Sequence, residues 1–192
     1  NLVGTVTDRV SNFAYQAQKK VKAHTNLSSG KYSVSYAAAE LIFHESQSRS
    51  LSNILLIGAG DFSTTVPRNL RHYFRTVPIT ITNRTRKKAE KLAAQVHADV
   101  ISFDAYKETL SNYDVVITTI GLNQYLIQPE DVQGLDKKVF IDLSVPQAIH
   151  PEVKNMSGHR LFSVDEVSAF HNDLLEQRKL EIPRAERIID LY

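Results

Sequence analysis

Residues 54–63 constrain the fold most, because an apolar run that stops at Gly-x-Gly is typical of a strand leading into a phosphate-binding helix. Gly58 allows the tight turn, and Gly60 lacks the Cβ that would block a pyrophosphate. Ser63 is small enough for helix and strand to pack, where the pattern has Gly or Ala. The run predicts a dinucleotide-binding turn made of Gly58, Ala59, Gly60, Asp61, Phe62 and Ser63.

Two features of this turn leave another interpretation open. Gly-x-Gly also occurs in ordinary strand-to-helix turns that bind no nucleotide. In addition, Asp61 places a carboxylate beside the expected pyrophosphate, which weakens phosphate binding unless the side chain points away. The sequence after the turn is therefore needed to identify a ligand.

The second predicted strand, residues 79–82, ends without a carboxylate. At about 20 residues beyond the glycines, Asp or Glu binds a ribose 2′-hydroxyl, whereas Arg accommodates a 2′-phosphate. Here the chain has Asn83, Arg84, Thr85 and Arg86, which can all donate hydrogen bonds to phosphate oxygens. These residues predict NADP(H). The alternative is a basic run that solvates a helix ending near Val96, although cations oppose the dipole at a helix N-terminus.

The composition predicts one globular core with added helices. The chain has 192 residues, of which 42% are hydrophobic. No apolar stretch approaches the ~20 residues that span a bilayer, and no signal peptide opens the chain, so we expect a soluble, cytoplasmic protein with no membrane association. The count of 0 Cys excludes disulfides and thiol nucleophiles, and the net charge of +2 is too small to predict nucleic-acid binding by charge alone. Because the first residue is Asn1, we expect the sequence to begin inside a longer polypeptide.

From about residue 53, short apolar strands alternate with helices. This alternation predicts an α/β fold with a Rossmann-like, doubly wound parallel sheet, preceded by N-terminal helices and followed by an extended C-terminal helix. Pro67 lies inside the first helix of this sheet, where it should be costly. The predicted strands are 54–57, 79–82, 100–101, 115–119, 139–143 and 161–163; the predicted helices include 3–21, 34–43, 61–74, 86–96 and 106–110.

Ligands of such sheets lie across the carboxyl ends of the strands. The loop after the fourth strand therefore predicts further cofactor contacts, from Thr119, Ile120 and Gly121. The loop 144–146 is expected near the nicotinamide. The alternatives are that Gly121 serves only a turn and that Pro146 only ends a strand.

Several motifs together resemble glutamyl-tRNA reductase. They include the glycine turn, Asn83-Arg84-Thr85, residues 114–119 and 162–167, and above all the sequence Asp-Leu-Ser-Val-Pro-x-x-Ile-x-Pro-Glu-Val at 142–153. The resemblance implies an NADPH-dependent reduction of the glutamyl group of glutamyl-tRNA to glutamate-1-semialdehyde, in porphyrin and haem biosynthesis. Members of that family have a catalytic domain with a nucleophilic Cys, a middle NADPH domain and a C-terminal dimerisation domain.

This chain resembles the middle part of such an enzyme. The implied domains are 1–50, a helical linker from an absent catalytic domain; 51–165, the NADP-binding Rossmann domain; and 166–192, the start of a C-terminal spine helix. No catalytic residue is assigned, because the family's Cys has no counterpart here. The implied partners are glutamyl-tRNA through the full-length enzyme, a second copy in a homodimer, and a downstream aminomutase.

Two other functions remain open at this point. The chain could belong to another NADP-dependent dehydrogenase, similar to shikimate dehydrogenase, whose members share Asn-Arg-Thr. It could also be a non-catalytic Rossmann module that senses a nucleotide. The His residues show no metal-ligand spacing, so no metal site is predicted.

Two further patterns concern the surface. Leu175, Ile182 and Ile189 are spaced by seven, with Ala185 and Tyr192 beside them, which predicts a short heptad seam that Pro183 would bend or interrupt. The alternative is that this stripe packs within its own domain. The basic residues of two predicted helices are interpreted as solvated faces, with contacts to tRNA phosphates as the alternative: Lys19, Lys20, Lys22, Arg68, Arg71 and Arg75.

Overall fold

The computed structural model describes residues 2–24, 33–47, 50–60, 62–156, 158–180 and 182–191. Two compact units make up the chain. The larger is Ser33–Phe170, and the smaller combines Asn1–Tyr32 with His171–Tyr192. Among the predicted residues, Asp61 lies outside the described residues, as do Tyr192 and the side chains of Phe62 and Leu175.

The larger unit is built on a six-stranded sheet in which all neighbouring strands are parallel, in the order β3-β2-β1-β4-β5-β6. This is the strand order of a Rossmann fold, so the predicted fold class is confirmed. The strands are β1 Ile54–Ile57, β2 Ile79–Thr82, β3 Asp99–Val100, β4 Val115–Thr118, β5 Val139–Asp142 and β6 Arg160–Ser163.

Helices cover the faces of this sheet, and the chain adds two helices in the smaller unit. The helices are α1 Leu2–His24, α2 Val34–Glu45, α3 Val66–Tyr73, α4 Arg86–Val96, α5 Pro129–Val132, α6 Val164–Lys179 and α7 Ile182–Ile189. The four central strands are buried along their whole length. Continuous apolar runs form such strands because both faces of a parallel sheet are covered.

Helix α2 packs with the sheet, although the sequence grouped it with the N-terminal helix. Its Ala37, Ala38 and Ala39 are completely buried in the same apolar cluster as β1 and α3. The Tyr36 hydroxyl lies 2.8 Å from the Tyr73 hydroxyl of α3. Small side chains let this helix approach closely, so that it belongs to the larger unit.

The helix after the glycine turn begins later than predicted. A 3-10 turn, Phe62–Thr64, comes first, and α3 starts at Val66 rather than at 61. Pro67 therefore lies in the first turn of α3, where a backbone N–H has no partner within the helix and its loss is harmless. The expected cost of Pro67 thus does not arise.

The prediction of a short helix at 106–110 is wrong. The region consists of two 3-10 turns, Phe103–Ala105 and Leu110–Asn112, joined by a hydrogen-bonded turn. Tyr106 anchors it by donating a hydrogen bond of 2.7 Å to the Leu126 carbonyl. Burial, together with the charge of Asp131, raises the pKa of this phenol to about 12. Its buried side chain holds the turn without a regular helix.

The smaller unit contains α1 and α7, which contact each other. Ala17 and Ala185 are buried there, while Ile182 and Ile189 remain exposed. Helix α6 ends at Lys179 and α7 begins at Ile182, so the C-terminal helix is interrupted where Pro183 predicted a break. Self-association through the heptad seam stays a prediction. In the described ranges, no helix is long and apolar enough to cross a membrane.

Candidate functional site

The carboxyl ends of the four central strands lie level across the sheet. Ile57 of β1 is in register with Thr82 of β2 and with Thr118 of β4, and Thr118 is in register with Asp142 of β5. The loops that leave these positions therefore share one edge. This edge holds all the described residues that the sequence predicted for the cofactor.

The glycine turn after β1 depends on both of its glycines, for different reasons. Gly58 has a φ of 125°, and a Cβ there would collide with Thr119 Oγ1 and lie 3.1 Å from the Thr119 carbonyl carbon. Gly60 is exposed, and apart from its two chain neighbours no atom lies within 4 Å of the position its Cβ would take. Gly58 therefore permits the close contact with the β4 loop, whereas Gly60 keeps an open surface.

Ser63 closes the turn from inside the protein. It is fully buried, and its Oγ accepts a 2.9 Å hydrogen bond from the Gly60 N–H. The same Oγ lies 2.5 Å from Thr119 Oγ1. The predicted small residue thus packs as expected, and its hydroxyl also links the turn to the loop after β4.

Asn83 ties the end of β2 to the glycine turn. Its Oδ1 accepts a hydrogen bond from the Ala59 N–H at 3.2 Å, and its Nδ2 donates to the Thr85 carbonyl at 3.0 Å. Both the oxygen and the nitrogen of this side-chain amide are therefore hydrogen-bonded. It fixes the two loops against each other and places the following residue, Arg84, beside the turn.

The two arginines predicted for a 2′-phosphate differ in their surroundings. Arg84 is exposed and has no hydrogen bond or ion pair within the part of the chain that the structure describes. Arg86 is the first residue of α4, and its Nε donates to Glu90 Oε1 at 2.8 Å. Thr85 stands at the N-cap of α4 without a capping side-chain bond. Arg84 is therefore the better placed of the two to meet an anion.

Asp142 organises the opposite half of the edge, and sequence reasoning gave it no role. This carboxylate is only 1% exposed. Its Oδ1 accepts from Thr118 Oγ1 at 2.7 Å and from the Ser144 N–H at 3.0 Å. Its Oδ2 accepts from the N–H groups of Ala148 and Ile149 at 2.8 and 2.9 Å. Three of these bonds hold the loop 143–149 on the sheet, and the fourth joins Asp142 to β4.

The loops after β4 and β5 are also joined directly. Ser144 Oγ accepts a hydrogen bond from the Ile120 N–H at 3.2 Å. A Cβ at Gly121 would lie 3.0 Å from the Val145 carbonyl oxygen, so the missing side chain permits this approach. Gly121 therefore has a packing role beyond that of a simple turn.

A cavity of about 550 Å³ opens between these two loops. The sequence predicted a nicotinamide near 144–146, but it did not identify the residues of the β4 loop that form the other wall. The lining is polar and aromatic and consists of Leu122, Asn123, Gln124, Tyr125, Pro146 and Gln147. Within the described ranges, no group of three His, Asp or Glu side chains could hold a metal ion.

Comparisons with known proteins identify the family of this chain. Residues 38–170 match the shikimate / quinate 5-dehydrogenase family. Glutamyl-tRNA reductase 2 of Flavobacterium johnsoniae is 35% identical over 98% of this chain and 44% of its own length. Glutamyl-tRNA reductase of Chlorobium phaeobacteroides is 34% identical over 97% of this chain and 45% of its own length. The chain thus spans less than half of these curated relatives.

Solved structures of glutamyl-tRNA reductases are also similar to this chain. Glutamyl-tRNA reductase from Methanopyrus kandleri has a TM-score of 0.80 and 27% identity over 93% of this chain and 46% of that one. The nucleotide binding domain of glutamyl-tRNA reductase from Thermoplasma volcanium has a TM-score of 0.63 over 78% of this chain and 99% of that one, at 17% identity, which supports the fold alone. The chain belongs to the shikimate / quinate 5-dehydrogenase family, and its predicted resemblance to glutamyl-tRNA reductase is confirmed.

Proposed function

We propose that this chain is the NADPH-binding part of a glutamyl-tRNA reductase. In the whole enzyme it would present NADPH for reduction of the glutamyl group of glutamyl-tRNA to glutamate-1-semialdehyde. The observation that carries the proposal is the bond between the Ala59 N–H and Asn83 Oδ1, 3.2 Å long. It joins the glycine turn to a strand end that has arginine instead of a carboxylate.

The edge fits the parts of the cofactor in order. The pyrophosphate would lie against Gly60, where the missing Cβ leaves open space beside Ala59 and the turn that contains Phe62 and Ser63. The adenosine ribose would lie at the end of β2. Its 2′-phosphate would meet the guanidinium of Arg84, which is exposed and not neutralised by any described residue.

The other half of the edge would orient the nicotinamide. When bound, NADPH supplies the hydride for the reduction. Thr119, Ile120 and Gly121 lead from β4 into residues 122–125, which form one side of the cavity between the β4 and β5 loops. Pro146 and Gln147 of the loop 143–149 form the other side, and Asp142 holds this loop by three hydrogen bonds. The walls of this cavity would therefore be in place before the nicotinamide ring binds.

The reduction of an ester-linked acyl group needs more than a hydride donor. In the resembled family a Cys thiolate first takes the acyl group, and this chain has 0 Cys. We therefore propose that the acyl-enzyme forms on another part of the full-length protein. Glutamyl-tRNA, a second copy of the enzyme and a downstream aminomutase would be partners of that whole protein.

A second candidate is another NADP-linked dehydrogenase, similar to shikimate dehydrogenase. The family match over residues 38–170 supports it. The first candidate is favoured because the glutamyl-tRNA reductases also match helix α1 and the C-terminal helices, over 97% or more of the chain.

The cofactor proposal is tested with a pair of arginine variants. Arg84→Ala should weaken NADPH binding by about 1.5–3 kcal/mol, the value of a charge-assisted contact, and leave NADH binding unchanged. Arg86→Ala is the matched control and should have a smaller effect, because Glu90 already pairs with Arg86. Both nucleotides are titrated by fluorescence. Equal affinities of the unaltered chain for NADPH and NADH would reject the proposal.

A further inference from the structure

The charges of this chain are separated along the sequence. Residues 62–97 contain eight Arg and Lys and a single acidic residue, Glu90, which gives a net charge of +7. The whole chain carries only +2, so the remaining residues are net negative. The small overall charge therefore hides one strongly basic segment, made of α3, β2 and α4.

The basic side chains of this segment form one surface. Leu70 of α3 and Leu92 of α4 belong to the same apolar cluster, so both helices cover the same face of the sheet. Arg68 Nη2 donates to Gln95 Oε1 at 3.2 Å, which joins the exposed sides of the two helices. We use the name basic surface for six exposed residues: Arg68, Arg75, Arg84, Lys87, Lys88 and Lys91.

No described residue forms an ion pair with the basic surface. In the described part of the chain, the one ion pair of this segment joins Arg86 to Glu90. Lys87 and Lys88 lie in the first turn of α4, which has no acidic residue, so their charges oppose the helix dipole. A concentration of like charge destabilises a fold unless a ligand of opposite charge uses it.

Arg71 is the exception, because its guanidinium has a structural role. It donates to the carbonyls of Val77, Val96 and His97 at 2.6, 3.2 and 2.9 Å. These bonds satisfy carbonyl groups where α4 ends and where the chain returns to β2. Arg68 and Arg75 lie beside Arg71, around a cavity of about 630 Å³. Among the described residues, Arg68 donates to Gln95, and neither arginine makes a set of backbone bonds like that of Arg71.

The proposed cofactor cannot account for the whole basic surface. Its 2′-phosphate would reach the end of β2, at the carboxyl edge of the sheet. Helix α3 has 8 residues, so its far end lies about 12 Å from its start. Arg75 follows that far end. An anion that meets both ends of the surface must be extended and carry several charges.

We propose that the basic surface binds the sugar-phosphate backbone of the tRNA. This inference rests on the proposed function, in which the substrate is carried on RNA, and adds where that RNA contacts this unit. The fit is one of charge: regularly spaced phosphates meet Arg and Lys side chains on two adjacent helices. The contacts position the tRNA and do not read its sequence.

The test compares two triple variants of the 192-residue chain. The first, Arg68→Gln, Arg75→Gln and Lys91→Gln, removes three charges of the basic surface and avoids Arg71 and the cofactor residues. The control removes three exposed charges elsewhere: Lys107→Gln, Lys137→Gln and Lys154→Gln. Binding of a labelled tRNA(Glu) transcript is measured by fluorescence anisotropy between about 50 and 200 mM salt.

The surface variant should bind the transcript about tenfold or more weakly, and its salt slope should fall by about 2 to 3, one for each phosphate that no longer meets a cationic side chain. The control should keep the affinity and slope of the unaltered chain. The proposal would be overturned if both variants bound the transcript equally weakly, or if the surface variant bound it as tightly as the unaltered chain. Tighter binding of polyglutamate than of the transcript by the unaltered chain would also overturn it. If the triple variant fails to unfold cooperatively, Arg75→Glu alone replaces it.

NADPH titrations of the same proteins separate this inference from the proposed function. All three proteins should bind NADPH equally, because none of the altered residues is assigned to the cofactor. The surface is judged on the tRNA titrations alone. An unaltered chain that fails to bind NADPH overturns the proposed function instead.

Discussion

The two halves of the sheet's carboxyl edge differ in whether their charged groups are exposed or buried and bonded. At the ends of β1 and β2, Asn83 and Ser63 bond the loops, but Gly60 and Arg84 face solvent and Arg84 has no described partner. At the ends of β4 and β5, the buried Asp142 accepts four hydrogen bonds, and the two loops are bonded to each other. The first half is open to a charged ligand, whereas the second is already fixed without one.

The largest expected effect concerns the fixed half. Asp142→Ala should lower the free energy of unfolding by about 3 to 5 kcal/mol, because buried N–H groups of Ala148 and Ile149 lose their acceptor. Asp142→Asn should cost less, since the remaining carbonyl oxygen can still accept from both. Asp136→Ala, at an exposed aspartate, is the control and should stay within about 0.5 kcal/mol. Urea unfolding measures all three; a small effect of Asp142→Ala would mean that the loop is held by other contacts.

The next effect contrasts the two glycines of the open half. Gly58→Ala should destabilise the protein by about 2 to 4 kcal/mol, because its positive φ is strained for Ala and the methyl group meets Thr119. Gly60→Ala should leave stability within about 0.5 kcal/mol, since open space surrounds that position, but should weaken NADPH binding. Thermal unfolding and nucleotide titration together separate the two roles. Equal destabilisation by both variants would show that Gly60 is also needed for the fold.

The smallest effect lies away from this edge, at the start of α6. Ser163 and Glu166 form a capping box, with Glu166 Oε2 accepting from the Ser163 N–H at 2.9 Å and Ser163 Oγ accepting from the Glu166 N–H at 3.3 Å. Partial burial raises the pKa of Glu166, but its bonds to Lys154 and Ser163 lower that pKa by more. The net shift is downward, so the carboxylate stabilises the folded protein at neutral pH.

Glu166→Gln should therefore cost about 0.5 to 1 kcal/mol at neutral pH. A lowered pKa in the folded state means that this contribution begins to fall below about pH 4.3 and disappears below the lowered pKa. Unfolding is followed in urea at neutral pH and near pH 3. Glu108→Gln, at an exposed glutamate, is the control and should match the unaltered chain at both. A Glu166 difference that persists at low pH would contradict the role of the charge.

The fold could be predicted because its strands are short, apolar and separated by clear breaks. The strands β1, β2, β4 and β5 were placed within a residue of their ends. The structure differs where local pattern and tertiary packing compete. Pro67 marks the first turn of a later helix, and Tyr106 is buried as the anchor of a turn rather than as part of a helix. Sequence periodicity alone does not show which partner a buried side chain finds.

That the candidate residues lie at one edge of the sheet could be predicted, but their internal bonds could not. The glycine turn and the end of β2 carry recognisable spacings. Asp142 was missed although a signal exists, because a carboxylate between Ile141 and Leu143 in a buried strand must accept hydrogen bonds. The pairing of Arg86 with Glu90 was also readable, as an i,i+4 pair on a helix. Bonds such as that between Ala59 and Asn83 require the three-dimensional fold.

The contrast between the two halves is tested most directly by amide hydrogen exchange. Exchange is measured for the chain alone, for the chain with NADPH and for the chain with NADH. In the free chain, Ala148 and Ile149 should already be protected and should not change with nucleotide. Residues 58–60 and 62–64, protected in part by the bonds of the Ala59 and Gly60 N–H groups, should gain further protection with either nucleotide at saturation. Residues 84–86 should gain protection with NADPH only. Protection at 84–86 that is equal with NADH, or free exchange at Ala148 and Ile149 until nucleotide is added, would contradict an open half that is proposed to bind phosphate beside a fixed one.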